Sequence, residues 1–132
     1  MRPSALIDLH CDTLTDCLSR SAPGVNTLDD PSRTLSLSQL PRGVRWAQFF
    51  AVFLPDTLRG ADAVRFFDAA CADFYRQMEK FSARVSPCRD AGDMERAWAA
   101  GKTAAFLSVE NGSALAGDLS RIGKLKVCGV CA

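Results

Sequence analysis

Three polar side chains near the amino terminus have the spacing of a metal-binding motif: Asp8, His10 and Asp12 alternate with apolar residues. Alternate residues of a β-strand share one face, so we predict that all three point the same way. An imidazole and a carboxylate two residues apart at a strand end can bind one metal ion, because both groups are good zinc ligands. The wet face of an edge strand would show the same pattern, and this short motif alone favours that simpler interpretation.

Glu110 is a second candidate, because it ends an apolar segment, residues 103–109, that has almost no other polar content. Enzymes with parallel α/β folds place their working groups at the carboxyl ends of the strands. In the alternative interpretation Glu110 caps the following turn, where Asn111 and Gly112 supply unusual backbone angles. The residues alone leave both interpretations open.

Cys128 and Cys131 have the Cys-x-x-Cys spacing of redox centres and zinc knuckles. A redox pair usually opens a helix, but only one residue follows Cys131, and Cys71 and Cys88 lack the spacing of a second zinc-binding pair. We therefore interpret the spacing as coincidental.

The first apolar run, residues 5–7, is shorter than a signal-peptide core of about 7–15 residues, so we expect a cytoplasmic protein whose six cysteines are all reduced.

The spacing of the apolar residues predicts strands that alternate with helices. The longest helix has apolar residues at spacings of three and four, and Asp90 or Asp93 can cap the helix after it. In order, the predicted elements are a strand at 5–9, a short helix around Leu14 and Leu18, a loop at 21–34, a strand at 46–54, a helix at 61–82, a second helix ending near Gly101, a strand at 103–109, a helix marked by Leu115, Leu119, Ile122 and Leu125, and a strand beginning within 127–132.

This order of elements predicts an α/β fold with a parallel sheet and right-handed crossovers. A complete (β/α)8 TIM barrel needs about 250 residues, and the 132 residues here would supply about three and a half of its units. We expect them to form one partial domain, the amino-terminal part of such a barrel.

The net charge of +1 gives no field that would attract nucleic acid, and no segment approaches the roughly 18 apolar residues of a membrane span.

Four segments in register resemble the membrane dipeptidase family of metal-dependent hydrolases. Residues 8–14 (DLHCDTL) are similar to the opening strand of that family, with its His-x-Asp metal pair, and residues 40–53 are similar to its second strand. Residues 101–112 (GKTAAFLSVENG) resemble the third strand, which ends in a glutamate that bridges two metal ions, and residues 119–130 resemble the approach to the fourth. The resemblance covers essentially the whole chain.

The resemblance implies a zinc-dependent dipeptidase, in which metal-activated water hydrolyses the peptide bond of a dipeptide. It implies two zinc ions, with His10 and Asp12 as ligands of one ion and Glu110 as the ligand that bridges both and acts at the catalytic centre. The family's remaining ligands, two histidines and an aspartate, come from later strands, and His10 is the only histidine among these residues. We therefore expect the chain alone to be inactive and poorly stable.

Two classes of function remain open from the sequence. The first is a metallo-dipeptidase of which this chain is an incomplete part. The second is a non-catalytic small α/β domain that serves as an interaction module. In either case, a parallel sheet cut after its third barrel strand would expose apolar surface, which a homo-oligomer could cover.

Overall fold

Four parallel strands and four α-helices make up the described part of the chain. The structure is a computed structural model, and it describes residues 5–19 and 27–131. The elements are β1 (Ala5–Cys11), α1 (Thr13–Ser19), β2 (Arg45–Phe53), α2 (Gly60–Lys80), β3 (Val85–Pro87), α3 (Ala91–Ala99), β4 (Thr103–Glu110), a 3₁₀ helix (Gly112–Leu115) and α4 (Arg121–Val127).

The strands form one sheet in the order β1-β2-β4-β3, and every pairing is parallel. The predicted α/β class with a parallel sheet is therefore confirmed. In such a sheet the carboxyl ends of all strands meet at one edge, so β1, β2 and β4 end close to one another. That edge is where the candidate residues at the ends of β1 and β4 lie.

The edge of β4 that faces away from β2 is shared by two segments, and the sequence did not predict this. The three residues of β3 pair with Thr103, Ala104 and Ala105 in the first half of β4. Further along, Val130 forms an isolated parallel bridge with Leu107. The predicted strand start at 127 is wrong, because α4 continues through residue 127 and pairing begins only at residue 130.

The sheet is buried on both of its faces in the centre. On one face, β2 and β4 pack against the apolar side of α2, whose buried residues include Phe67, Cys71, Phe74 and Met78. These four residues lie on the predicted apolar stripe, so the long helix and its buried side are confirmed. On the other face a smaller cluster of buried residues joins the sheet to α3: Ala47, Cys88, Ala97, Ala104 and Phe106.

Helix α3 begins and ends as its sequence predicts. The Asp90 side chain accepts a hydrogen bond of 2.8 Å from the backbone N–H of Asp93, which is the usual role of an N-cap residue. After the helix, Gly101 has a φ of 70°, a left-handed conformation that glycine adopts at little cost. These local signals explain why a short helix is fixed firmly beside β4.

The predicted helix around Leu115 and Leu119 is divided in the structure. The 3₁₀ helix stops at two left-handed residues, Ala116 with a φ of 51° and Gly117 with a φ of 77°, and α4 starts only at Arg121. Consecutive residues with positive φ cannot continue a right-handed helix. Leu119 therefore lies in the connection, and 72% of its surface is exposed.

The connection between α1 and β2 is held down by its own contacts. Residues 27–34 lack helix and strand, as predicted, and the rest of the predicted loop, residues 21–26, lies outside the described residues. Leu28 and Leu37 are buried and linked by a backbone hydrogen bond of 2.7 Å. Arg84 contacts both carboxylate oxygens of Asp29 at 3.0 Å, which ties this loop to the turn between α2 and β3. Within 5–19 and 27–131, every helix is too short or too polar to traverse a lipid bilayer.

Candidate metal centre

His10, Asp12 and Glu110 come together at the carboxyl ends of β1 and β4. The His10 Nε2 atom lies 3.3 Å from Asp12 Oδ1 and 3.6 Å from Glu110 Oε2. One ligand atom from each residue falls within 4.8 Å of the others, and all three side chains are about half exposed to solvent. The structure thus brings together the three residues that the resemblance implies as metal ligands.

An irregularity of register in β1 decides which way these side chains point. Asp8 aligns with Gln48 of β2, and Cys11 aligns with Phe50. Three steps along β1 therefore correspond to two steps along β2, which leaves one extra residue in β1. Side chains alternate between the two faces of a strand, so one extra residue reverses the faces of every position after it.

This reversal brings His10 and Asp12 to the same side of the sheet as Glu110. Cys11, aligned with Phe50, packs with it in the core on the α2 side. By alternation, Glu110 lies on the opposite side, because Val109 packs toward the α2 side. Without the extra residue, His10 would share the side of Phe50 and would point away from Glu110.

The prediction that Asp8 shares a face with His10 and Asp12 is therefore wrong. Asp8 precedes the irregularity, and its Oδ1 atom accepts a hydrogen bond of 3.0 Å from the backbone N–H of His10. It stabilises the turn of the chain where the register shifts. Cys11 packs against the core, and burial raises the pKa of its thiol to about 11.

Glu110 is oriented by the residue that follows it. Asn111 has a φ of 72° and a ψ of 158°, and it caps the 3₁₀ helix by accepting a hydrogen bond from the N–H of Ser113 at 2.9 Å. The alternative interpretation, in which a turn with unusual backbone angles follows Glu110, is therefore correct about the angles. Asn111, and not Gly112, adopts the positive φ. The turn leaves the Glu110 carboxylate beside His10, so the two interpretations do not exclude each other.

The donor set and the two separations from His10 fit a zinc ion. A tetrahedral ion with ligands at about 2.0–2.2 Å separates neighbouring ligand atoms by about 3.4 Å. The two separations from His10 Nε2, 3.3 Å and 3.6 Å, are close to that value. Among the described residues no other group of three histidine, cysteine, aspartate or glutamate side chains is close enough to hold an ion.

The six cysteines take no part in this group. All of them are free thiols in the structure, in agreement with the prediction, and Cys128 and Cys131 lie at the end of α4 and just beyond it. Burial raises the pKa of the Cys71 thiol to about 12 and that of the Cys88 thiol to about 11. Thiols of this kind are poor nucleophiles at neutral pH.

An imidazole and two carboxylates at the carboxyl edge of a parallel α/β sheet lie where enzymes built on β/α units place their working groups. The sequence matches the membrane dipeptidase family, also called peptidase family M19, over residues 1–132. The chain belongs to this family, as its resemblance to the family predicted.

Solved structures show the same fold. A metallo peptidase from Rhodobacter sphaeroides, liganded with a phosphinate mimic of the dipeptide L-Ala-D-Ala, superposes with a TM-score of 0.83 at 18% identity, over 97% of this chain and 44% of that one. The metallo peptidase dipeptidase AC gives 0.83 at 20% identity, over 98% and 41%. An amidohydrolase from Pseudomonas aeruginosa gives 0.55 at 20% identity, over 67% and 25%. A comparison with curated protein sequences finds no match.

The first two comparisons also show how much of each solved peptidase the chain covers. The chain spans less than half the length of either of these solved peptidases. It therefore matches only part of the fold of these two peptidases.

Proposed function

We propose that the chain contributes to a zinc-dependent dipeptidase and that His10, Asp12 and Glu110 bind its metal. The observation that carries this proposal is the convergence of one imidazole and two carboxylates at the carboxyl edge of the sheet, within 4.8 Å of one another. Membership of the membrane dipeptidase family supports it. The dipeptide mimic bound to the Rhodobacter sphaeroides relative supports a dipeptide as the substrate.

The three residues have separate tasks in the proposed site. His10 and Asp12 would be ligands of one ion at the end of β1, and Glu110, at the end of β4, would be a ligand shared with a second ion. Bound zinc supplies a water molecule of lowered pKa and a polarised carbonyl group. The half-exposed side chains leave the group open to solvent, so a dipeptide can approach it directly.

A site for two ions needs more donors than these three residues provide. A catalytic zinc normally has about three protein ligands and a water molecule. The sequence has a single histidine, and the described residues hold no second group of donors. We therefore propose that 1–132 is part of a (β/α)8 barrel domain whose other strands supply the missing ligands.

Zinc binding by the purified chain tests the proposal. We expect isothermal titration calorimetry to show saturable binding of Zn²⁺, weakened at least tenfold in each of His10→Ala, Asp12→Ala and Glu110→Gln. Asp56→Asn is the matched control, because the Asp56 side chain is 96% exposed, carries the same charge and lies outside the group of three. Its affinity should stay within about twofold of the original.

The same titration separates the proposal from the interaction-module alternative. The observation that favours that alternative is the exposure of Leu6, Ile7 and Leu9 on β1. An interaction module has no need of a metal, so it would bind Zn²⁺ weakly or with equal affinity in all four variants. That result would contradict the dipeptidase proposal.

A further inference from the structure

The strands that carry the three candidate ligands are not neighbours in the sheet. β1 carries His10 and leads into Asp12, β4 ends in Glu110, and β2 lies between them without contributing a ligand. The distance between the imidazole and the Glu110 carboxylate therefore depends on how β1 and β4 are each fixed to the end of β2. The β2–β4 ladder runs to Phe53 and Glu110, and two side chains add further connections to the same end of β2.

Thr15 connects the β1 side to β2. Its hydroxyl group donates a hydrogen bond to Ala51 O and accepts one from Phe53 N, both at 3.0 Å, and the side chain is buried. The pairing of β1 with β2 ends at Phe50, so among residues 5–19 and 27–131 β2 has no strand partner on this edge beyond that residue. The hydroxyl group replaces the missing strand at the point where helix α1 leaves Asp12.

Asn111 connects the β4 side to the same end of β2. Its Nδ2 group donates a hydrogen bond of 2.6 Å to Leu54 O, the residue that follows β2. Its Oδ1 atom accepts from Ser113 N, so the side chain joins the end of β2 to the turn directly after Glu110. Both ligand-bearing segments are thus hydrogen bonded to residues 51–54 of the strand between them.

We infer that Thr15 and Asn111 are positioning residues that set the spacing of His10 and Asp12 relative to Glu110. The inference rests on the proposed metal site. A functional site needs its groups held within about 0.5 Å of the working geometry. The β1–β2 ladder is irregular between Asp8 and Cys11, so on that side regular backbone pairing does not continue unbroken to the ligands. The two side chains fix the strand ends at the positions where the ligands emerge.

Two substitutions remove these connections with little other change. Thr15→Val keeps the shape of the side chain and removes the hydroxyl group, and Thr15→Ser restores it. Asn111→Gly removes both side-chain hydrogen bonds and keeps a residue that readily adopts a φ of 72°. Trp98→Phe is the matched control, because it removes a 2.9 Å hydrogen bond from a side chain to Trp46 O at the opposite end of β2.

The measurements are Zn²⁺ affinity by calorimetry and the visible absorption spectrum of bound Co²⁺, which reports the geometry of the ligands. We expect Thr15→Val and Asn111→Gly to weaken Zn²⁺ binding about tenfold and to change the Co²⁺ spectrum. Thr15→Ser and Trp98→Phe should stay within about threefold, with the original spectrum. Circular dichroism identifies the folded variants, and Asn111→Gly, at an exposed position, provides the result if Thr15→Val does not fold.

The outcomes distinguish this inference from the proposal on which it rests. If the original chain binds Zn²⁺ through the three ligands and both folded variants keep its affinity and spectrum, the positioning inference is wrong and the metal site stands. An equal loss in Trp98→Phe would also overturn it, because the effect would then be one of general stability. If the original chain binds no Zn²⁺, both the inference and the proposed function fail.

Discussion

Strands β4 and β1 both carry candidate ligands, but the rest of the chain supports them very differently. β4 is paired along both edges, and its residues 104–108 are all buried. β1 pairs only with β2 in the described part of the chain, and Leu9 on it is 70% exposed. Glu110 is thus held by the core, whereas His10 depends on an edge strand. We therefore expect the position of β1 to limit how precisely the three candidate ligands are placed.

The largest expected effect concerns catalysis by the 132-residue chain supplied with excess zinc. If β1 and β4 provide only part of a two-ion site, the chain should hydrolyse dipeptides no faster than buffer with zinc, because a catalytic zinc needs about three protein ligands. The assay compares several dipeptides with a full-length family member as the positive control. Turnover comparable to that control, abolished by His10→Ala, would show that the two strands suffice and that the ligand count is mistaken.

The second prediction compares the same substitution on the two strands. Leu107→Ala should lower the free energy of unfolding by about 2–5 kcal/mol, because Leu107 is fully enclosed in the core around α2. Leu9→Ala should change it by no more than about 0.5 kcal/mol, since that side chain is mostly in water. Urea unfolding followed by tryptophan fluorescence measures both. Similar losses would mean that β1 is supported as well as β4.

The third prediction is that zinc selectively protects β1. An ion bound by His10, Asp12 and Glu110 joins the end of β1 to the end of β4, so β1 cannot separate without releasing it. At zinc concentrations about 100-fold above Kd, binding adds about 2.7 kcal/mol to the free energy needed to detach β1. Amide exchange of the paired β1 residues should therefore slow about 100-fold. Hydrogen exchange with mass spectrometry measures this. Amides that exchange by fraying at the end of α3 are the internal control, and Asp12→Asn should abolish the effect.

The smallest expected effect is a pH dependence of local stability that is confined to the residues around α3, beside β4. The Arg89 backbone N–H, at 2.9 Å, and the Arg96 side chain hold the pKa of Asp93 below its usual value. A lowered folded-state pKa stabilises the fold above about pH 3.9 and ceases to do so as pH falls through the lowered value. The protection factor of the Arg89 amide, which corrects for intrinsic exchange, should therefore fall as pH falls through the lowered pKa of Asp93, without a matching change in β1. Asp93→Asn should remove this pH dependence.

Much of the fold could be predicted because its signals are local. The apolar stripe of α2, the Asp90 cap of α3 and the two buried central strands each follow from a few residues in a row. What the sequence did not predict depends on distant pairing. The short strand β3 exists only because the first half of β4 has a free edge beside it, and residues 85–87 carry no strand signal of their own.

The candidate site likewise has features that the sequence predicts and features that depend on distant pairing. His10, Asp12 and Glu110 were identified by residue type and by their places at strand ends, and the structure brings them together. The irregular register of β1 was not predictable, because no glycine or proline lies between Asp8 and Cys11 to mark it. Thr15 was also missed, since a threonine in a short helix has no signal until the neighbouring strand end is known.

The extra residue in β1 makes the number of residues between Asp8 and Asp12 as important as their identity. Deleting or inserting one residue there would exchange the two sides of the strand and bury the imidazole among the apolar groups beside α2. Inserting two would restore its side but displace it by about 6.7 Å along the strand. Directed evolution of this segment should therefore recover many substitutions and no change of length.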